Sequence, residues 1–306
     1  MKRNLFLLII LLLAAACDEC GVEDKVESKI PINFSSPLLA PTKVTDFSFL
    51  PGEQIGIFML NSGSTLSAST IVDDVNNYNY YVSSVTSFVA SFLPYTTDTV
   101  FFPTPGNVDF IAYYPYSNSI SSTFTCPVST TSSDQTNRAT VDFVYSNNAT
   151  NISSANVSLV FKHALSFLEF DVVTETGLAL TEMVGMTLTL NNFSTTADVN
   201  LSDGSIINLN SATQDIVLPG KYYAGNEEYI ADGIIVPQTV AQNSTVTFTM
   251  TNGRVFTYDF PDDLVFESGK IYIFTVTLDR GTSASFTGSV SFWQPGTLEN
   301  SDIVAN

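Results

Sequence analysis

In run after run along this chain, apolar residues occupy every second position, a pattern that buries one face of a strand and leaves the other in water. Val246, Phe248 and Met250 alternate with Thr245, Thr247 and Thr249, and Met186, Leu188 and Leu190 alternate with Thr187 and Thr189. Leu168, Phe170 and Val172 alternate with Glu169 and Asp171, while Tyr272, Phe274, Val276 and Leu278 share a face opposite Thr275 and Thr277. Thr, Val, Ile, Phe and Tyr suit a pleated surface better than a helix. Turn pairs punctuate the runs at Pro51-Gly52, Asp203-Gly204, Pro219-Gly220, Asn252-Gly253 and Ser268-Gly269. Asn252-Gly253, between two alternating runs, carries the strongest hairpin signal. No stretch holds a helical period over three turns, so the pattern predicts an all-β chain made of β-sandwiches.

The first residues break this pattern. Lys2 and Arg3 precede an uncharged run from Leu5 to Leu13, then Ala14, Ala15, Ala16 and Cys17. This is the layout of a secretory signal over residues 1–16. The run is too short for a mature membrane helix, which takes roughly 20 residues. A cysteine directly after three alanines points to lipidation at Cys17, with acyl chains such as palmitate; an ordinary signal with an incidental cysteine is the alternative. Residues 17–29 are polar, acidic and aperiodic, and read as a solvated, lipidated tether.

The chain as a whole is 44% apolar, enough to support substantial cores. Two Ser/Thr/Asn-rich stretches, Ser117–Thr140 and Tyr145–Asn156, read as loops, and a fresh strand set opens at Val157. The expected division is an N-terminal sandwich over residues 30–160 and a C-terminal sandwich over 161–306, each of ordinary size. Acidic residues dominate. The chain has 11 Lys+Arg against 30 Asp+Glu, and removing Lys2 and Arg3 with the signal leaves 9 against 30, a net of −21. A nucleic-acid partner has no electrostatic support, and attachment to a membrane must come from lipid.

Chemistry-bearing residues are sparse. The one histidine, His163, sits in FKHALSFLEF, where a hydrogen-bonded packing role suits it better than catalysis. No nucleophile elbow, phosphate-cradling glycine loop or HExxH occurs. Asp73-Asp74 and Asp262-Asp263 read as turn residues or, alternatively, as fragments of a calcium site. A hydrolase using two facing carboxylates is a third reading that spacing alone does not decide. Cys20 and Cys126 are the remaining cysteines and are available to pair in an oxidising compartment. Tyr78, Tyr80 and Tyr81, with Tyr113, Tyr114 and Tyr116, either pack in a sandwich or stack on sugars and partner proteins. Asp98-Thr99-Val100 matches a three-residue O-glycosylation pattern, and the seven Asn-x-Ser/Thr sites are compositional. No cofactor or metal is expected.

Read in order, the blocks IPINFSS, TKVTDFSFLPGEQIGIFM, VDFIAYYPYS, VSLVFKHALSFLEFDVV, DGIIVPQTV, FESGKIYIFTVTL and VSFWQPG resemble the fimbrillin-like lipoproteins of Bacteroidetes, the subunits of type V pili. The block at Phe161, His163, Ala164 and Leu165, supported by Phe266, Gly269 and Tyr272, carries the resemblance most specifically. It implies two transthyretin-like, Greek-key sandwiches in tandem and a non-catalytic fimbrial subunit or adhesin displayed on the outer membrane. Acidic residues behind the lipidated cysteine, here Asp18, Glu19, Glu23 and Asp24, favour such display in that phylum. The resemblance also implies proteolytic removal of an N-terminal strand, here Ile30–Ser35. Refilling would come from a neighbour's C-terminal stretch, here Phe286–Asn306, of which Phe286–Trp293 is the more apolar part. Other pilus subunits and a host or bacterial surface receptor are the implied partners. The family's cut follows an arginine; here Lys43 holds that position, before Val44, so the subunit is either cut by a protease of different preference or left uncut as an anchor. The rival reading is a glycan-binding surface lipoprotein of a polysaccharide-uptake system.

Overall fold

A computed structural model of the chain describes residues 29–38, 48–103, 106–175, 178–225, 228–279, 284–293 and 301–303. The first eleven strands are β1 (Ile30–Pro31), β2 (Asn33–Pro37), β3 (Gln54–Asn61), β4 (Tyr78–Thr86), β5 (Val89–Pro94), β6 (Phe101–Phe102), β7 (Val108–Tyr114), β8 (Thr125–Ser129), β9 (Val144–Ile152), β10 (Asn156–Ser158) and β11 (Lys162–His163). Next come β12 (Ser166–Thr174), β13 (Thr187–Ser194), β14 (Thr196–Asn200), β15 (Ile206–Ile207), β16 (Thr213–Leu218), β17 (Gly220–Tyr223) and β18 (Glu228–Ile235). The last seven are β19 (Gln238–Thr239), β20 (Thr245–Thr249), β21 (Val255–Asp259), β22 (Val265–Phe266), β23 (Lys270–Leu278), β24 (Ala284–Phe292) and β25 (Ser301–Ile303). Helix among the described residues is confined to short segments, of which α1 spans Arg138–Val141. The all-β expectation holds.

The four alternating runs meet in one place. A six-stranded sheet, β17-β18-β12-β23-β24-β25, faces a four-stranded sheet, β16-β13-β20-β21. Their inner faces bring Leu168, Phe170, Val172, Leu188, Leu190, Val246, Phe248, Tyr272, Phe274 and Val276 into a single core. This is a sandwich built as the period predicts. The expected hairpin closes β20 on β21, with Gly253 at φ 85° and its N–H donating to the Met250 carbonyl at 2.9 Å.

The first half of the chain uses one larger sheet, ordered β10-β2-β5-β4-β3-β7-β9-β11. Phe34 of β2, Ile57 of β3, Tyr80 of β4, Phe92 of β5, Phe110 of β7, Val144 of β9 and Val157 of β10 share one core, so the sheet curls around its own inner face. Residue 160, where the sequence places the division between halves, lies between β10 and β11. Val157 completes this first sheet, pairing with Phe34, and does not open the second.

Strands β3 and β7 are buried almost throughout, on both faces. Their second face belongs to a third core, where Phe58, Leu60, Ile111 and Tyr113 meet Cys126 and Val128 of β8, Ala197 and Val199 of β14, and Trp293. Strand β8, from the first half, pairs antiparallel with β14, from the second, over Thr125–Ser129 and Thr196–Asn200. The two halves are therefore stitched by a ladder as well as by apolar contact.

Two stretches expected to be loops contain strands. Ser117–Thr140 holds β8, and Tyr145–Asn156 lies largely in β9. In β9 the inward positions are Val144, Ser146 and Ala149, and its ladder with β7 shifts register twice. Small and polar inward residues and a bulged register erase the hydrophobic period that marks the other strands.

One polar side chain bridges the halves. Gln135 donates through Nε2 to the carbonyls of Thr130 (3.1 Å) and Ile234 (2.8 Å), and its Oε1 accepts from the Ile234 N–H at 2.9 Å. The amide thus replaces a missing strand beside β18. Gln135→Leu, close in volume, leaves the Ile234 N–H and C=O buried and unpaired; we expect a loss of about 2 kcal/mol or more, read from the urea midpoint.

Candidate functional site

The residues that distinguish β2 are its position and its load. It lies second from one end of the first sheet, antiparallel to β5 and parallel to β10. Alternation sends Ile32, Phe34 and Ser36 inward, while Asn33 and Pro37 are exposed. The Phe34 ring meets Tyr80 edge-on at 5.3 Å and Phe110 at 5.2 Å. Ser36, 1% exposed, sits opposite Ala90 of β5. Backbone bonds run along both sides: the Asn33 N–H to the Ala155 carbonyl (2.7 Å), the Leu159 N–H to the Ser35 carbonyl (2.8 Å) and the Leu38 N–H to the Phe88 carbonyl (2.6 Å). Just before it, the Ile32 N–H reaches the Val100 carbonyl at 2.9 Å, and β1 pairs with β6. The segment from Ile30 to Ser35 therefore lies in ladders and covers a core. Lifting it out would leave an apolar slot lined by Tyr80, Phe92, Phe110 and Val157, flanked by unpaired N–H and C=O groups of β5 and β10.

Behind this slot the block FLPGEQIG is a packing device. Phe49 is buried against Phe92, Tyr114 and Phe161. The Glu53 carboxylate accepts from the Leu50 N–H at 2.7 Å and from the Tyr114 hydroxyl at 2.9 Å. Gly56 is required because a Cβ there would lie 2.1 Å from the Tyr113 ring.

The second set of residues that carries the resemblance converges at the junction of the halves. His163 Nδ1 lies 2.8 Å from Asp142 Oδ1, and its ring stacks on Trp293 with centroids 3.7 Å apart and planes 6° apart. Gly269, at φ 68°, donates to the Leu165 carbonyl and accepts from the Trp293 N–H at 2.6 Å. The Tyr272 hydroxyl donates to the Val265 carbonyl (3.0 Å) and accepts from the Glu267 N–H (2.7 Å), tying the β22–β23 corner. His163 is thus a packing residue, as expected.

The remaining candidates separate. Cys17, Cys20, Lys43 and Val44 lie outside the described residues. Tyr80, Tyr113 and Tyr114 are buried, with hydroxyls bound to the Val100 N–H, Asn77 and Glu53. Of the six tyrosines, Tyr78, Tyr81 and Tyr116 are partly exposed, and Tyr81 meets Tyr95 edge-on, so no flat stacking platform forms from the set. Asp73, Asp74 and Asp263 adopt positive φ in turns, and no group of three or more His, Cys, Asp or Glu among the described residues is arranged to hold a metal. The C-terminal stretch differs from the expectation. Residues 284–292 form β24, an interior strand between β23 and β25, and Trp293 is buried. The backbone of 284–292 is thereby paired within this chain's own sheet, with β25 beyond it at one edge.

Two predictions follow from burial here. Phe34→Ala should destabilise the uncut chain by about 3–5 kcal/mol in urea titration, while Phe88→Ala, on an exposed turn, should cost little. Burial, aided by the Asp198 carboxylate, pushes the Cys126 thiol up to about 11. The native state holds this proton more tightly than the unfolded chain, so the associated stability is intact below the ordinary thiol range and is lost as pH climbs through 11. Cys126 should therefore resist a thiol reagent at pH about 8 until the protein unfolds, counted as labelled thiol with and without denaturant.

A family profile described as fimbrillin-like matches residues 42–293. A relative described as a candidate fimbrium subunit, Fim1C of Bacteroides uniformis, is 25% identical over 312 residues, covering 97% of each chain. Among solved structures, a candidate cell adhesion protein from Bacteroides uniformis superposes with a TM-score of 0.72 at 22% identity, covering 88% of this chain and 99% of that one. Another candidate cell adhesion protein, from Bacteroides ovatus, gives a TM-score of 0.69 at 18% identity, over 88% of this chain and 100% of its own. These likenesses establish a shared fold, and the profile, which spans most of the sequence, settles the membership: this chain belongs to the fimbrillin-like family.

Proposed function

We propose that this protein is a non-catalytic subunit of a surface fimbrium, a building block or adhesin, joined to its neighbours by strand complementation. The observation that carries the reading is β2: a short N-terminal strand, with partners on both sides, covering an aromatic core. While the chain is continuous, β2 is held intramolecularly and the subunit is complete. Once the chain is cut after it, the same strand is held only by its ladders and by Ile32 and Phe34, whose burial contributes roughly 3–6 kcal/mol. A strand from another subunit then replaces it at little net cost, because both make the same kind of ladder.

The N-terminal residues fit this scheme. Lipidation at Cys17 attaches the precursor to the outer membrane, and the acidic tether carries it to the cell surface. Cleavage between Lys43 and Val44 releases lipid and β2 together; an uncut copy stays as an anchor. The glycan-uptake reading loses its main support because half of its tyrosines are core residues with satisfied hydroxyls.

Two outcomes test the reading. Surface-assembled protein should begin at Val44 by N-terminal sequencing, and Lys43→Ala should accumulate as lipidated, SDS-sensitive monomer; assembly of that variant at normal levels defeats the processing step. Cys17→Ala should abolish labelling by a palmitate analogue and membrane fractionation of the precursor.

A further inference from the structure

The slot beneath β2 is not a uniform groove, and its three inward positions differ in shape. Ile32, 5% exposed, is an aliphatic side chain buried in the same core. Phe34 fills a well whose walls are the Tyr80 and Phe110 rings, both edge-on to it at close to 5 Å, so a planar ring is the shape that completes it. Ser36 occupies a site with room for a small side chain, fully closed and opposite Ala90. The positions between them are undemanding: Asn33 is exposed and its amide bonds to Asn156, and Ser35 contributes through its backbone. A strand that fits therefore reads aliphatic, any, aromatic, any, small.

Among this chain's own C-terminal residues the pattern is approached only within β24. Across residues 284–306 the nearest matches are Ala284, Phe286 and Gly288, which offers only a methyl group to the first well, and Val290, Phe292 and Gln294, which puts a long polar side chain at the small site. Those apolar positions belong to β24, an interior strand here, with the buried Trp293 directly behind it. Residues 294–306 contain no aromatic residue, and their apolar members are Leu298, Ile303, Val304 and Ala305. An Ile303–Ala305 pair placed over the second and third wells leaves the ring well filled by an aliphatic side chain and the first well facing Ser301.

We infer that the β2 slot selects a strand with an aromatic residue at its centre and a small residue two positions later, and that this strand comes from a subunit unlike this one, because the nearest such run in residues 284–306 of this chain, Ala284–Gly288, is held within β24. The inference rests on the strand-complementation reading and adds the identity of the partner: contacts at this slot join unlike subunits. The incoming strand runs parallel to β10 and antiparallel to β5, as β2 does.

The test uses the full chain with a site-specific protease site inserted after Pro41, folded and then nicked, so that β2 stays bound but is no longer covalently held. Fluorescent synthetic peptides are added and their uptake is followed by anisotropy, with loss of the nicked N-terminal segment followed by mass spectrometry. A peptide of sequence Pro31–Pro37 should enter. Its Phe34→Ala and Ser36→Leu variants should exchange at least about tenfold less effectively, and a peptide of residues 294–306 should fail to compete. Equal uptake of the 294–306 peptide, or of the Phe34→Ala peptide, overturns the selectivity while leaving strand complementation intact. If no peptide enters, including the native one, the slot does not exchange and both readings fall.

Discussion

The two-sided burial of β3 and β7 is the constraint from which the architecture follows. A strand with water on one side needs a single core; these two, buried throughout, need one on each face. The inner face is satisfied by curling the first sheet on itself, which puts Phe34, Tyr80 and Phe110 together. The outer face is covered by β8 together with β14 and its neighbours from the second half of the chain, and β8 pairs with β14 to bring them in. Gln135, Trp293 and His163 then close the seam. The halves are consequently not beads on a string: each supplies cover that the other's strands require.

Strands differ in how much of this cover depends on them. Removing β12 or β23 would open the sandwich core, and removing β7 would open two cores at once. Strand β2 is short, second from the end of its sheet and early in the chain, so the other cores and most of the hydrogen-bond ladders do not depend on it. Charge does not help subunits to meet, since copies with a strong negative excess repel. In the scheme proposed above, association comes from backbone pairing and from filling wells, both short-ranged, which favours specificity set by the shape of the incoming side chains.

Much of this was legible in the residues. The runs at Leu168, Leu188, Val246 and Tyr272 predicted strands with one buried face, and they form a common core. The Asn252-Gly253 turn and the packing role of His163 read directly from their neighbours. What escaped did so for physical reasons. β9 turns Ser146 and Ala149 inward across a bulged ladder, so its strand carries little hydrophobic signal. β8 gains its stability from β14, some seventy residues away, and nothing local announces that partner. The C-terminal stretch around Phe292 looked free to be lent, but pairing with β23 and the His163–Trp293 stack hold it in place.

The amino-acid sequence by itself determined the all-β class, the acidic balance and the fimbrillin-like blocks, because alternation, charge and short motifs are local properties. Only the tertiary structure decided which core β2 covers and which side chains surround it. Those depend on Phe34 meeting Tyr80 and Phe110 edge-on and on Ser36 facing Ala90, contacts between residues far apart in the chain, which exist only once the sheet has curled.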